Sequence, residues 1–401
     1  MTSFTPTTPE EALEAVRWAA AEETPVEIVG HGSKRAIGHL APTEHEINLS
    51  KLTGVTLYEP EELVLSARAG TPVQEIEALL VSHNQELQFE PIDYGPLLGG
   101  PEGRGTIGGV LASNLAGPRR LKVGAARDHI LGIHAVSGRG EAFKSGGRVV
   151  KNVTGYDLSK AMAGSWGTLA VLTDVTFKVM PRPETETTLV LRGLTEEQAA
   201  EAMSIAMGSS GEVASAAHLP ESVTGRVLDG ALRGRGSTLL RLEGFGPSAD
   251  YRFERLAALL DGKAVQERVD GDQSRALWRE IRDCRPYADG SQRPIWRVSM
   301  PPSKGHRMVM ALRMEAAVDA FYDWQGGLIW LRMEGDPEVE AVRRLVAQYG
   351  GGHATLVRAH PSVRASAQIF QPQSPALTAL SVRLKDQFDP KGILNPGRMG
   401  F

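Results

Sequence analysis

Three separated, glycine-bearing segments contain the residues best suited to bind a phosphate-bearing ligand. The first segment is Gly30-His31-Gly32-Ser33-Lys34, which follows a strand predicted at residues 25–29. Backbone N–H groups in such a turn can form an anion-binding nest, and the Ser33 hydroxyl adds another donor. The spacing fits neither a Walker A loop nor a Rossmann turn. Taken alone, the segment is equally consistent with an ordinary tight turn.

Two further segments extend this pattern. Residues 105–114 place glycines at the start of a predicted helix, where N–H groups favour a pyrophosphate, although a helix packed closely against a sheet would show the same pattern. Residues 151–173 have glycines around a short helix between two extended pieces. This segment could supply the backbone donors and apolar face that a flavin ring needs, or it could be a glycine-loosened crossover helix. The candidate binding residues here are Thr106, Ile107, Gly108, Gly109, Ser113, Asn114, Gly155, Gly164, Gly167 and Thr168.

The elements around these segments predict an α+β fold in two domains. The first domain has strands predicted at 25–29, 63–67, 129–136, 141–143 and 169–179, and Pro181-Arg182-Pro183 marks its end. Beyond it, helices alternate with strands predicted at 188–191, 213–218, 238–245, 264–269, 295–299, 327–333 and 353–359. Two rounds of strands crossed by helices predict paired split-βαβ units, which form an antiparallel sheet with helices on one face.

Composition limits the class of protein. The 401 residues are 41% hydrophobic and 23% charged, as in a globular protein, and a net charge of −4 gives no footprint for nucleic acid. Cys284 is the single cysteine, so no intrachain disulfide and no cysteine-based zinc or iron–sulfur site can form, and no metal site is predicted. Electrons collected by this chain would leave through a partner or a diffusible acceptor. No signal peptide and no run of the ~18 apolar residues that a membrane span requires is evident, so we expect a cytoplasmic chain, peripheral at the inner membrane only through partners.

Four stretches, taken in order, carry a resemblance to a known family. GHGSK, GTIGGVLASNLAG, VGAARDHILG and VTGYDLSKAMAGSWGTLAVLTDVTFKV resemble the FAD-binding domain of the p-cresol methylhydroxylase / vanillyl-alcohol oxidase superfamily. Within that superfamily the chain is similar to the FAD-binding subunits of bacterial glycolate oxidases, also called glycolate dehydrogenases. DWQGG with Trp330, then GGHATL and NPGRM, support this in the second half. The resemblance covers the whole chain and is patchier after residue 182.

The resemblance implies a two-lobed FAD-binding domain at 1–182, a cap or substrate domain at 183–385 and a C-terminal segment, 386–401, that packs back on the FAD domain. Residues 30–33 would contact the FAD pyrophosphate, 106–109 with Ser113 and Asn114 would wrap the diphosphate and flavin, and 164–168 would complete the tunnel. Some members tether FAD through a histidine next to the serine of the first loop. That position is Gly32 here, so we predict non-covalent FAD.

The resemblance further implies an FAD-binding subunit of a complex that oxidises glycolate or another small 2-hydroxy acid, with a second flavin subunit and an iron–sulfur subunit as partners. His353 is the candidate base and Arg358 the candidate carboxylate clamp, although a predicted strand points them to opposite faces unless a bulge intervenes. His353 could equally be a structural histidine. The His-x-Gly-Asp-Gly-Asn-x-His stretch of 2-hydroxy-acid oxidising relatives is missing. Two alternatives therefore stay open: a non-catalytic architectural or assembly subunit, and a stand-alone FAD-dependent alcohol oxidase.

Overall fold

The computed structural model describes residues 2–148 and 156–400. The chain begins with a small lobe, a parallel three-stranded sheet of order β1-β3-β2. Its strands are β1 (Thr2–Phe4), β2 (Val26–Val29) and β3 (His45–Asn48). Helix α1 (Pro9–Ala21) begins as its sequence predicts, because the Thr8 side chain accepts the Glu11 N–H and Pro9 occupies the first helical position. Alanine and valine side chains of α1 pack on this sheet, which fixes the loop that follows β2.

The second lobe is an antiparallel five-stranded sheet of order β4-β5-β9-β7-β8. Its apolar face is covered by α2 and α3, which share one core with the sheet. A two-stranded antiparallel pair, β6 with β10, lies where the chain passes into its second half. The strands are β4 (Val55–Glu59), β5 (Val64–Arg68), β6 (Gln85–Glu86), β7 (Ile130–Ser137), β8 (Ala142–Gly146), β9 (Ala170–Lys178) and β10 (Met180–Pro181). The helices are α2 (Val73–Val81), α3 (Ile107–Ser113), α4 (Arg120–Val123), α5 (Ala126–His129) and α6 (Leu158–Met162).

The second half of the chain folds around one antiparallel eight-stranded sheet of order β14-β11-β13-β12-β16-β17-β15-β18. Its strands are β11 (Thr185–Arg192), β12 (Ser215–Leu219), β13 (Ser237–Gly244), β14 (Val265–Asp270), β15 (Ile295–Ser299), β16 (Val318–Asp323), β17 (Leu328–Met333) and β18 (His353–Arg358). Its helices are α7 (Glu196–Gly208), α8 (Glu221–Thr224), α9 (Gly246–Leu259), α10 (Gly271–Arg282), α11 (Pro302–Arg313), α12 (Val339–Gln348), α13 (Pro361–Ser366) and α14 (Pro375–Phe388). The α+β class and the large antiparallel cap sheet are confirmed.

The prediction that helices cover one face of this sheet needs a correction. Helices α7 and α9 pack on the outer face with Leu189 and Leu191 of β11. Helix α10 packs on the opposite, inner face, where the Trp278 indole N–H donates to the Thr188 hydroxyl at 2.8 Å. The alternation of β11 separates the two sets, since Thr188 and Leu189 point to opposite faces. The rest of the inner face meets the first half of the chain through a shared apolar core.

A buried ionic network joins the two halves. Arg241 on β13 donates to Glu90 and to Glu186, both at 2.6 Å, and its Nε lies 2.8 Å from Glu243. Arg119, from the first half, lies 2.5 Å from the same Glu243 carboxylate. Buried charges are tolerated where they are paired and hydrogen-bonded, as these are. The network therefore links the cap sheet to the first half of the chain.

Candidate cofactor-binding site

The three predicted segments come together around one cleft between the two lobes of the first half. The cleft encloses about 840 Å³ of space that opens to solvent. The predicted residues that line it are Gly30, His31, Gly32, Ser33, Lys34, Thr106, Gly108, Gly109, Ser113 and Gly167. Four others, Ile107, Asn114, Gly164 and Thr168, lie in the same segments but not on the cleft wall, and Gly155 falls outside the described residues.

The first and second segments touch at Gly30. A Cβ atom placed on Gly30 would lie 2.6 Å from the Thr106 hydroxyl oxygen, so no side chain fits there. Thr106 is itself the N-cap of α3, and its hydroxyl accepts the Gly109 N–H at 3.3 Å. The loop after β2 thus rests directly on the start of α3.

The start of α3 does not offer the free donors that its sequence predicts. The Ile107 N–H donates to a backbone carbonyl at 3.0 Å, and the Gly108 N–H donates to the Ala69 carbonyl at 2.8 Å. A Cβ atom on Gly108 would lie 2.8 Å from the Ala69 Cβ, because the helix packs closely against β5. The glycines here serve this close packing, which was the alternative interpretation.

The first loop has backbone N–H groups that can donate to a ligand. Among the described residues, the backbone N–H groups of Gly32, Ser33 and Lys34 donate to no other protein group. Gly32 adopts a φ of +73°, and a Cβ atom on it would meet nothing within 4 Å. Open space in front of unpaired N–H groups is what a bound phosphate requires. The loop, more than the helix start, has the geometry of an anion nest.

The third segment is hydrogen-bonded to the end of α3. The Gly164 N–H donates to the Leu111 carbonyl at 3.1 Å, and the Trp166 N–H donates to the Ala112 carbonyl at 2.9 Å. Thr168, one residue beyond the wall, donates its hydroxyl to the Ser165 carbonyl at 2.6 Å. These bonds fix the turn that brings Ser165, Trp166 and Gly167 to the wall.

Asn114 lies next to the cleft wall and not on it. It ends α3 with a φ of +48°, and its side-chain oxygen accepts the Arg127 N–H at 3.0 Å. Its amide oxygen therefore holds the next loop in place. Asparagine tolerates this left-handed conformation better than most residues, which explains its position at the helix end.

Two residues near the C-terminus complete the wall, and sequence reasoning did not include them among the site residues. The Asn395 side chain accepts the Ile28 N–H at 2.7 Å and donates to the Trp166 carbonyl, also at 2.7 Å. The Arg398 guanidinium donates to the Lys34 carbonyl at 3.1 Å and lies 3.3 Å from the Glu27 carboxylate. Both belong to the NPGRM stretch, whose only signal was the family resemblance.

The ionisable side chains on the cleft wall are basic ones, namely His31, Lys34, Arg35 and Arg398. Lys34 lines the cleft, and burial lowers the pKa of its ammonium, an effect that Asp93 and Asp283 oppose. Burial, and then the charge of Arg104, lowers the pKa of His31, whose Nδ1 is enclosed without a partner. Free backbone donors, a lysine and apolar walls together fit a dinucleotide with two phosphates and a flat ring.

Comparison with known proteins agrees with this geometry. The family profile of an FAD binding domain matches residues 3–146. The glycolate oxidase subunit GlcE of Escherichia coli (strain K12) is 35% identical over 389 residues, which cover 96% of this chain and 96% of that protein. This chain belongs to the GlcE family. The glycolate oxidase subunit GlcD of Bacillus subtilis (strain 168) is 27% identical and covers 73% of this chain and 68% of its own length.

Solved structures share the fold of this GlcE family member. A substrate-bound p-cresol methylhydroxylase superposes with a TM-score of 0.74 at 14% identity, covering 100% of this chain and 88% of that one. An alkyldihydroxyacetonephosphate synthase superposes with a TM-score of 0.68 at 16% identity, covering 98% of this chain and 76% of that one. The resemblance to the p-cresol methylhydroxylase type of FAD protein is confirmed, and FAD is the cofactor of the family.

The two candidate catalytic residues lie elsewhere in this GlcE family member. Ile295 pairs with Arg358 and Trp296 with Leu356, so Val357 is the extra residue of a bulge in β18. The bulge turns His353 and Arg358 to the same face of the sheet, which removes the predicted opposition of their faces. They nonetheless stand at opposite ends of the strand, roughly 15 Å apart at ~3.3 Å per residue.

Neither residue lines the cleft of the described chain. Arg358 is buried, and its guanidinium donates to the carbonyls of Arg293, Leu97 and Tyr287 at 2.9 to 3.1 Å. Those donors are therefore not free for a substrate carboxylate. His353 is exposed at the start of its strand. The predicted roles of the pair gain no support from these positions.

Within residues 2–148 and 156–400, no helix combines the length and the apolar character that crossing a bilayer demands.

Proposed function

We propose that this chain is the FAD-binding subunit of a dehydrogenase complex that oxidises glycolate or a closely related 2-hydroxy acid. The observation that carries the proposal is the meeting of the three glycine segments around one cleft, where the N–H groups of residues 32–34 bond to no other residue that the structure describes. Identity of 35% over almost the full length to a glycolate oxidase subunit supports the substrate class.

The chain's own residues would divide the work of holding the cofactor. The N–H groups of the first loop and the Lys34 ammonium would face the phosphates, and Trp166 with Gly167 would border the ring. Asn395 would keep this border in place through its two hydrogen bonds. When bound, FAD supplies the two-electron oxidant for the C–H bond next to the hydroxyl of the acid.

The domain limits proposed for this work are 1–182 for FAD binding and 183–385 for the cap, with 386–401 returning to the first half. Contacts support the return. The Val26 N–H donates to the Ile393 carbonyl at 2.8 Å, and the Asn395 N–H donates to the Val26 carbonyl at 3.1 Å.

We propose that the cofactor is held without a covalent bond. Gly32 occupies the position of the tethering histidine, and it has no atom that could form the bond. Dialysis of the purified chain against denaturant should release all flavin absorbance into the dialysate. Flavin that stays with the unfolded chain would contradict non-covalent binding.

Partners are expected because the relatives GlcE and GlcD are both described as subunits. We propose a second flavin subunit and an iron–sulfur subunit as partners, with electrons passing from this chain to them in the cytoplasm, at the inner membrane. The single cysteine, Cys284, is buried, so this chain cannot provide a cysteine-ligated cluster for that step.

One experiment tests the proposal against a purely architectural role. The chain is purified alone and with its partners, and each sample is mixed anaerobically with glycolate or D-lactate while the flavin absorbance is recorded. Bleaching in the isolated chain indicates direct oxidation, and bleaching only with partners indicates a relay. A purified chain without flavin, to which added FAD does not bind, would refute the proposal and favour the architectural role.

A further inference from the structure

Arg297 differs from the other arginines on the inner face of the cap sheet. It lies on β15 opposite Trp330 of β17 and Thr355 of β18. Its neighbours on this face are paired: Arg332 lies 2.9 Å from the Asp289 carboxylate, and Arg358 donates to three carbonyls. Among the described residues, no carboxylate lies within the 4.0 Å of an ion pair with Arg297, and its enclosed Nε has no partner.

The polar groups beside Arg297 do not supply the missing negative charge. Burial raises the pKa of the Tyr94 phenol, which stays neutral. Burial also raises the pKa of the Asp323 carboxyl to about 8, so it is largely protonated at neutral pH. The Arg297 side chain is half-buried, and none of the described carboxylates forms an ion pair with it. Its guanidinium can therefore bind an anion from outside the chain.

The Trp324 ring positions this guanidinium. The Arg297 Cζ lies 4.8 Å from the centre of the ring, and stacking of this kind leaves the edge of the guanidinium free to donate. Trp324 and Gln325 adopt φ angles of 51° and 62°, an uncommon conformation for residues other than glycine. Such conformations persist only where the surroundings hold them. Here a side-chain oxygen of Asp323 accepts the Trp324 N–H at 2.7 Å.

The stacked pair lies next to the cofactor cleft. The Trp324 indole N–H donates to the Gly117 carbonyl at 2.9 Å, shortly after the end of α3. Trp324 also shares a buried apolar core with Trp166, and Trp166 lines the cleft. The stacked pair therefore lies at the junction between the cap sheet and the Trp166 side of the cleft.

We propose that Arg297, supported by the Trp324 ring, binds the carboxylate of a small 2-hydroxy acid at this junction. The inference rests on the proposed function, and it assigns to Arg297 the carboxylate-binding role that the sequence suggested for Arg358. The planar guanidinium can donate two parallel N–H bonds to the two oxygens of a carboxylate, so we expect a bidentate interaction.

The test measures binding and does not require turnover. Oxalate, a two-carbon carboxylate without a C–H bond to oxidise, is titrated into the full chain by calorimetry and by the flavin difference spectrum. Arg297→Gln removes the charge, and Arg297→Lys keeps the charge without the fork. Arg293→Gln is the matched control, because it removes a nearby surface charge whose partner is Glu334 at 3.1 Å.

The expected result is a dissociation constant for oxalate that rises about 10- to 100-fold in Arg297→Gln and by a smaller factor in Arg297→Lys, as hydrogen bonds to charged groups predict. Arg293→Gln should bind like the wild type. Without oxalate, Arg297→Gln should unfold at the same or a higher temperature, because it loses an uncompensated charge. A residue with only a structural role would lower that temperature and leave binding unchanged.

Two results would overturn the inference. One is wild-type affinity for oxalate in folded Arg297→Gln, and the other is no calorimetric binding of oxalate by the wild-type chain. Lack of bound flavin in the wild-type chain would instead count against the proposed function, since calorimetry reports oxalate binding independently of flavin.

Discussion

Replacement of Asn395 by alanine should separate the role of the C-terminal segment from that of the glycine segments. The side chain is 3% exposed and satisfies two backbone groups, the Ile28 N–H and the Trp166 carbonyl, each at 2.7 Å. Leaving a buried polar group unpaired costs about 1–3 kcal/mol, so two such groups set a range of about 2–6 kcal/mol. Both backbone groups are only partly buried, and water can reach them once the side chain is gone. We therefore expect a loss of about 2–4 kcal/mol in the free energy of unfolding.

The assay combines urea denaturation with titration of FAD into the apoprotein. Asn395→Ala should lower both stability and FAD affinity, because Trp166 and Gly167 lie on the cleft wall. Asn48→Ala is the control, since Asn48 satisfies one N–H, that of Ser50 at 3.0 Å, and should cost about 1 kcal/mol without an effect on FAD. If Asn395→Ala loses no more stability than Asn48→Ala and binds FAD as tightly as the wild type, the reasoning is wrong.

Three further predictions follow from the same structure. Gly32→Ala and Gly262→Ala both place a side chain at a φ near +73° with nothing within 4 Å, so each should lower the free energy of unfolding by about 1 kcal/mol. Only Gly32→Ala should weaken FAD binding, by about tenfold. Equal FAD affinity in both variants would exclude the first loop as a phosphate site. Arg241→Met should lower the free energy of unfolding, measured by urea denaturation, by about 3–5 kcal/mol, because it leaves the glutamates of the buried network without their counter-charge. A loss below about 1 kcal/mol would show that these glutamates do not depend on Arg241. Asp323→Asn should flatten the pH dependence of stability. The pKa of the Asp323 carboxyl is about 8 in the folded chain, so between about pH 4 and pH 8 the folded chain holds a proton that the unfolded chain has released. Wild-type stability should therefore fall as the pH rises from about 4 to about 8 and level off above that, and parallel pH profiles for both proteins would contradict this.

Local signals explain most of what the sequence predicted. Strand β15 was predicted with its observed bounds, Ile295–Ser299, and α1 with its Thr8 cap, because alternation and capping chemistry are written in neighbouring residues. The same holds for the three glycine segments. Helix α11 was missed, since Pro301, Pro302 and an internal glycine mask it, and it forms because Met308, Val309 and Leu312 are buried against the sheet.

The rest of the site depends on contacts between distant residues. Asn395 reaches the cleft from 229 positions beyond Trp166, and no local pattern reveals such a bond. The sequence does not reveal that the Ile107 and Gly108 N–H groups are already bonded, because their acceptor carbonyls lie in the distant turn that follows β5. The bulge at Val357 turns the His353 and Arg358 side chains to the same face of the sheet, and no glycine or proline in β18 indicates it in the sequence. Arg297 was overlooked because an unpaired charge is visible only when all possible partners have been placed.

The contribution of Asn395 and Arg398 also sets an order of events during synthesis. The three glycine segments leave the ribosome early, yet the residues that brace them are translated only after the whole cap domain. A nascent chain whose synthesis stops within the cap domain would contain the three glycine segments but lack Asn395 and Arg398, which hold them in place. We therefore expect the cofactor to bind late, after the cap domain has been synthesised. A cap domain that folds slowly would delay flavin binding, whereas a damaged cleft would prevent it.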